Sequence, residues 1–287
     1  MDLFQVVLLA LVQALTEFLP VSSTAHLVLV PWLMGWEVFG LFFDVALHVG
    51  TLLAVLVYFA KTWIRLLGLA VGRRVLVPES GHPDLDLYEN PKLFWFLVAA
   101  TFPAGIAGLA LKSAVETTLR NPLVIGVMLI AVGILIWAVE RRATMRRNLD
   151  SLTFGDAMLV GLAQALALIP GTSRSGITIV TGLLLGITRS SAARFSFLLS
   201  SPIILGAALK TAYDAVQAGS LTAEILPALG LGIVVSAFAG YAVIAFFLRY
   251  LQTSTLTPFV YYRVGFGIMV IALAYSSASL PAAFMAD

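Results

Sequence analysis

The sequence predicts an all-α protein: a polytopic membrane bundle of six full spans plus two re-entrant helix hairpins, arranged as inverted repeats. Three observations predict it. Hydrophobic residues make up 60% of the chain and charged residues 11%, where a soluble domain carries roughly a quarter of its residues as charges. Six apolar stretches are long enough to cross a ~30 Å hydrocarbon core, which takes about 20 helical residues. Two further apolar regions are broken by proline and hydroxyl clusters, and they resemble each other.

The six stretches run Leu41–Ala60, Lys92–Lys112, Pro122–Val139, Ser190–Tyr213, Ile225–Leu248 and Phe259–Ser279. With the broken regions they fill nearly all 287 residues, so a single membrane domain, 1–287, is expected. The longest hydrophilic stretch, Gly72–Asn90, holds Pro78, Gly81 and Pro83 and reads as a surface loop. The absence of cysteine excludes disulfides, thiol nucleophiles and thiolate metal sites. A net charge of +2 gives no reason to expect a nucleic-acid partner. The N-terminal run has Asp2 as its only flanking charge and carries Gln13 and Glu17 within it, so no cleaved signal is expected there.

The first broken region runs Leu3–Leu19, is interrupted at Pro20–Thr24, and resumes from Ala25 to Trp36. The second runs Phe154–Ile169, breaks at Pro170–Gly176, and resumes from Ile177 to Ile187. Each second leg has about a dozen residues, or ~18 Å of helix, which is too short to span. Each pair should therefore enter and return on one side. Irregular backbone at that depth must be buried in protein or face a watery cavity.

The two regions also share residues. Gln13-Ala14-Leu15 precedes Leu19-Pro20 and Ser22-Ser23, and Gln164-Ala165-Leu166 precedes Ile169-Pro170 and Thr172-Ser173. Each repeat, at about 1–150 and about 151–287, is a broken hairpin followed by three spans. Three crossings are odd, so the second copy is expected upside down, with both breaks near the midplane. Lys and Arg crowd Lys61–Arg74 and Arg141–Arg147 but not Glu116–Asn121 or Asp214–Glu224. The crowded loops should be cytoplasmic, so the first hairpin enters from outside and the second from the cytoplasm.

Ionisable groups inside apolar segments are functional candidates by default. Glu17 is the clearest, with Gln13 one turn behind it on the same face. Together they could hold a divalent cation through hard oxygen donors; a structural glutamate bonded to main chain at the break is the plainer alternative. Ser22, Ser23 and Thr24 supply three hydroxyls with His26 close behind. A serine becomes a nucleophile beside a base, and His26 is a candidate for that base or for the acid. Helix capping is the other reading of these hydroxyls.

Pro170-Gly171-Thr172-Ser173-Arg174-Ser175-Gly176 is the strongest motif. Gly171 permits a tight turn, Ser175 starts another helix whose amides attract anions, and Arg174 offers a planar fork suited to phosphate. An ion pair with Glu17 is the alternative for Arg174. Asp44 and His48, one turn apart, could support the site from behind its lining residues but are expected mainly to face the bundle interior, and His82 to be solvated. Gly182 and Gly186 read as close helix packing, and Arg194 and Arg263 as interface groups or internal ion pairs.

At these residues the chain resembles the bacterial undecaprenyl-diphosphate phosphatase family of the BacA/UppP type. The resemblance covers the whole length. It rests on Gln13 to His26, on Pro170 to Gly176 with Thr178, and on Phe195 to Leu199 with Pro202. It implies hydrolysis of a C55 polyprenyl diphosphate to monophosphate and inorganic phosphate, recycling the lipid carrier of cell-wall synthesis. It implies bacitracin resistance when the enzyme is abundant, a divalent cation (Mg or Ca), and a bacterial inner-membrane location with the site open outward.

By position, Gln13 and Glu17 match the family's cation pair, and Glu17, Ser23, His26 and Arg174 its catalytic groups. Ser22, Thr24, Gly171, Thr172, Ser173, Ser175 and Thr178 match substrate-binding positions. Many members carry glutamate where this chain has Gln13, so a metal site built on two carboxylates would keep one. The implied partners are the polyprenyl diphosphate and the bilayer; a homodimer stays open. A lipid transporter or flippase fits inverted repeats equally well. The unrelated vanadate-sensitive phosphatases would need a Lys-x6-Arg-Pro motif, which the chain lacks.

Overall fold

The computed structural model describes residues 2–36, 40–73, 90–111, 119–219 and 221–276. Among these are eleven α-helices and no β-strand. A first hairpin, α1 (Leu3–Phe18) and α2 (Ser23–Met34), leads to α3 (Gly40–Tyr58), α4 (Ala60–Ala70), α5 (Leu93–Ala110) and α6 (Pro122–Glu140). A second, α7 (Phe154–Leu166) and α8 (Arg174–Leu184), leads to α9 (Arg189–Gln217), α10 (Leu226–Thr253) and α11 (Thr257–Ser276).

Helices α5, α6, α9, α10 and α11 are long and apolar enough to cross a membrane, and α3 with α4 makes a sixth if that bent pair is one span. Side chains such as Phe102, Leu109 and Phe238 point outward from them, exposed. With lipid as solvent that exposure costs nothing, and the chain is a multi-pass membrane protein.

One expected loop is a helix. The basic stretch after Tyr58 continues as α4, turned 73° from α3. Thr62 and Leu66 are buried on one face of it while Lys61, Ile64 and Leu67 are exposed. The helical spacing of its apolar residues, masked by the charges, sets the structure. Most of Gly72–Asn90, with His82, and half of Glu116–Asn121 lie outside the described residues.

Helix ends are closed by local chemistry, since a free N–H in lipid has no water to bond. Asp2 accepts from Phe4 N to cap α1, and Asn121 caps α6 just before Pro122. Thr153 and Asp156 form a reciprocal capping box on α7. The two ends of each hairpin meet. The rings of Phe4 and Trp36 stand edge to face at 6.4 Å. Arg147 donates to Asp156, near the start of α7, at 2.6 Å, and to the Leu185 carbonyl, just past α8, at 2.9 Å.

Helix α1 packs along α10 and α5 along α7, while α3 crosses α9 and α6 lies on α11. Missing side chains let helices approach closely between α5 and α7 and between α3 and α10, which also pack together. A Cβ at Gly161 of α7 would strike the Ala100 carbonyl of α5, and one at Gly50 of α3 would strike the Ile233 carbonyl of α10. Gly182 likewise lies against Ala192, the close packing expected of it. The result carries both hairpin breaks into the centre of the bundle.

Candidate active site

Both breaks are built the same way. Ser22, just before α2, and Ser173, just before α8, have positive φ values of 76° and 72°. Side chains rarely adopt that conformation, so surrounding structure must hold it. At the second break Ser173 Oγ accepts from Gly176 N at 3.1 Å. At the first, His26 Nδ1 lies 2.7 Å from the Ser22 carbonyl. A carbonyl only accepts, so Nδ1 carries the proton and Nε2 accepts from the Tyr262 hydroxyl at 2.6 Å.

Arg263 joins the breaks. It is fully buried on α11, and its hydrogen bonds run to the carbonyls of Pro20, Gly171, Thr172, Met128 and Leu129. The Pro20, Gly171 and Thr172 carbonyls belong to the breaks, where interrupted helices leave such groups without partners, whereas Met128 and Leu129 lie inside α6. Ser175 Oγ adds a direct link, donating to the Leu19 carbonyl at 3.0 Å.

The first residues of α2 and α8 face one cavity of about 170 Å³, lined by Glu17, Ser23, Thr24, His48, Ser173, Arg174 and Gln164 with an apolar wall. Two helix N-termini thus converge on one space, and their free N–H groups favour an anion. Glu17 supplies the carboxylate in that lining. Its carboxylate accepts from Gln13 Nε2 at 3.1 Å, Ser23 Oγ at 2.5 Å and Arg174 Nη2 at 3.0 Å, and lies 3.4 Å from His48 Nε2. Arg174 uses one nitrogen in that pair; its buried Nε and Nη1 have no partner. Both readings of Arg174 therefore hold together: it is ion-paired and still has donors to offer.

The structure gathers Gln13, Glu17, Ser23, Thr24, Ser173 and Arg174 around this point, and adds His48. It sets His26 apart, stacked against Tyr262 and Phe266 and absent from the cavity lining. Ser22 and Thr172 are buried with hydroxyls that lack partners, away from the lining. Gly171 turns the chain with φ 91° against Ile125, where a Cβ would collide. Thr178 Oγ1 meets Ser196 Oγ at 2.7 Å and ties α8 to α9.

Three contributors were given other places by sequence. The sequence places His48 mainly in the bundle interior with support of the site as the alternative, offers Gln164 only as a repeat marker, and suggests an ion pair or interface role for Arg263, which instead bonds carbonyls. Each is a polar group in an apolar helix, the one signal available beforehand. Asp44 pairs with Arg120 at 3.3 Å and presents its carbonyl, 2.7 Å away, to His48 Nδ1. That carbonyl makes Nδ1 the donor, leaving Nε2 to face Glu17.

A divalent cation fits here only with help from a ligand. No cluster of three His, Cys, Asp or Glu side chains exists among the described residues. The Gln13 Oε1 is buried without a partner beside the carboxylate. Glu17 already serves several donors, near the capacity of a carboxylate. Gln13 and Glu17 would thus supply two hard oxygens, and most of the coordination would come from an anionic ligand and water.

Known proteins resemble this chain over nearly its whole length. The family model described as bacitracin resistance protein BacA matches residues 6–269. A Desulforudis audaxviator protein named undecaprenyl-diphosphatase is 48% identical over 274 residues, 96% of this chain and 98% of its own. One of the same name from Pelotomaculum thermopropionicum is 44% identical over 274 residues, 96% of this chain and 97% of its own. The undecaprenyl-diphosphatase 2 of Stutzerimonas stutzeri is 47% identical over 283 residues, 95% of this chain and 98% of its own. The chain belongs to the BacA family.

Proposed function

We propose that this protein hydrolyses undecaprenyl diphosphate to undecaprenyl phosphate and inorganic phosphate, returning the lipid carrier to cell-wall synthesis. One observation carries the reading: Arg174 holds two unpaired nitrogens beside a Ser23–Glu17 hydrogen bond, where two helix N-termini meet. Relatives named undecaprenyl-diphosphatase, similar over nearly their whole length, supply the substrate.

Ser23 Oγ attacks the terminal phosphorus while Glu17 takes its proton. An O–P bond forms, the bridging P–O bond breaks, and undecaprenyl phosphate leaves. Water then attacks the phosphoserine, releasing inorganic phosphate and restoring the hydroxyl, so one water is consumed per turnover. Arg174 and the α2 and α8 amides neutralise the transferring phosphoryl group, the dominant need in such chemistry. His48, through Nε2, exchanges the proton with Glu17, the role sequence gave to His26; His26 holds the Ser22 turn. A divalent cation, Mg or Ca, held by Glu17, Gln13 and the diphosphate, would add charge neutralisation when bound.

The surrounding architecture is read as six spans and two re-entrant hairpins in one domain of two inverted repeats. Three facts support this reading. The hairpin ends meet, at Phe4–Trp36 and through Arg147. Ser22 and Ser173 share one rare conformation. Exchanging the halves turns the α1–α10 contact into α7–α5 and leaves α3–α9 and α6–α11 unchanged. The basic Arg141–Arg147 end is placed in the cytoplasm of a bacterial inner membrane, with the cavity open to the outer face. Glu17, Ser23 and Arg174 come from one chain, so a homodimer would carry two complete sites.

Purified protein given undecaprenyl diphosphate in detergent should release phosphate and leave monophosphate. Intact diphosphate, moved across a liposome bilayer instead, would establish the carrier reading that the repeats also favour.

A further inference from the structure

The two hairpins differ in what answers their matched glutamines. On α1, Gln13 donates to Glu17, one turn ahead. On α7, Gln164 occupies the corresponding place, and one turn ahead of it stands Leu168. No carboxylate answers this amide. Gln164 is 2% exposed, and neither its Nε2 nor its Oε1 has a hydrogen-bond partner. A buried amide in that state costs about 1–3 kcal/mol, and it lines the cavity beside Arg174.

The cavity lining divides by helix of origin into a polar set and an apolar set. Glu17, Ser23, His48 and Arg174, from α1, α2, α3 and α8, make the polar one. Ala104, Ala167, Leu168, Ile203 and Ile204, from α5, the end of α7 and α9, make the apolar one. Gln164 stands on the α7 edge, one turn from Ala167 and Leu168. A polyprenyl diphosphate has the same order of parts: a phosphate to transfer, a phosphate to retain, then hydrocarbon.

We propose that Gln164 is the seat of the lipid-side phosphate, the one the product keeps, with Nε2 donating to its oxygen and the first isoprene unit lying along Ala104 and Ile203. This rests on the hydrolase reading for the ligand but makes its own claim: the two phosphates bind at separable places.

Inhibition separates those places. The purified full chain and its Gln164→Leu variant would be assayed with a short-chain prenyl monophosphate and with inorganic phosphate as inhibitors. Expected is about tenfold weaker inhibition of the variant by the prenyl monophosphate, the loss of one hydrogen bond to a charged group, with inorganic phosphate inhibition unchanged. Expected too is a higher thermal midpoint for the ligand-free variant, because leucine removes an unpaired buried amide. A structural glutamine would lower it. Gln164→Glu, which keeps the shape and adds a repelling charge, should lose monophosphate inhibition more completely. Equal weakening of both inhibitors, no weakening of either, or a lower midpoint in the leucine variant would overturn the proposal. Absence of turnover in the wild type would strike the hydrolase reading instead, and calorimetric titration with the same two ligands would still decide the role of Gln164.

Discussion

The Glu17 carboxylate and the Arg174 guanidinium meet at 3.0 Å across 157 residues of sequence, one from each hairpin. The contact uses Nη2 and leaves the buried Nε and Nη1 without a partner. Arg174→Lys keeps the charge but cannot hold Glu17 and a phosphate at once with a planar fork. It should lower kcat on the order of 10²-fold, the usual effect of removing a preorganised donor. Steady-state phosphate release measures it, and near-normal turnover would remove the clamp from the mechanism.

Ser23 and Ser22 are neighbours with different fates. The Ser23 hydroxyl donates to Glu17, whereas the Ser22 hydroxyl has no partner. Ser23→Ala should abolish turnover and Ser22→Ala should reduce it little. Acid quenching of the wild type during turnover should trap phosphoserine on the peptide containing Ser23. Its absence, with Ser23→Ala still inactive, would make water the nucleophile and the serine its guide.

Gln13→Glu would place a second carboxylate where an amide now donates to Glu17. Like charges side by side should lower the thermal midpoint in chelator, and Mg or Ca should restore it by bridging the pair. Glu17→Gln should abolish the response of activity to divalent cations. If neither variant changes its cation titration, the ion travels on the substrate alone.

The two histidines should fail differently. His48→Ala removes the group 3.4 Å from Glu17 and should depress kcat with little effect on the thermal midpoint. His26→Ala frees the Ser22 turn and should lower the midpoint, because a strained residue loses its support. Comparing kcat and melting for both variants tests the division of labour; the reverse pattern would return proton transfer to His26.

Arg263→Met would leave main-chain carbonyls from both breaks without partners inside the bundle. Each such group costs about 1–3 kcal/mol, so the variant should lose at least about 3 kcal/mol, seen as early unfolding in detergent. Arg263→Lys, with fewer donors in the wrong geometry, should fall between.

Much of this was legible in the chain. Apolar stretches of membrane length became α3, α5, α6, α9, α10 and α11, because lipid leaves a spanning helix no other way to satisfy its backbone. The register of the repeat was less legible. The matched prolines, Pro20 and Pro170, suggest pairing Ser23 with Ser173. The structure pairs Ser22 with Ser173 and Ser23 with Arg174, the spacing that Gln13 and Gln164 also keep. A left-handed turn is a backbone property, and proline position shifts by one residue without disturbing it.

By itself the sequence determined the solvent, the helices, the two breaks and the residue types gathered at them, since hydropathy and helix-breaking chemistry act locally. It brought Glu17, Ser23 and Arg174 together through the inverted repeat, which carries both breaks toward the midplane, and through the resemblance of their motifs. Which histidine faces the carboxylate was decided by tertiary structure, because helical phase and packing set direction. His26 turns toward Tyr262, and His48, from a different helix, reaches Glu17. The same holds for Gln164 and Arg263: both are lone polar residues in apolar helices, yet one lines the cavity with its buried amide unpartnered and the other is saturated with carbonyls. Whether a buried polar group is satisfied depends on what crosses it from elsewhere in the chain, and only the folded bundle supplies that.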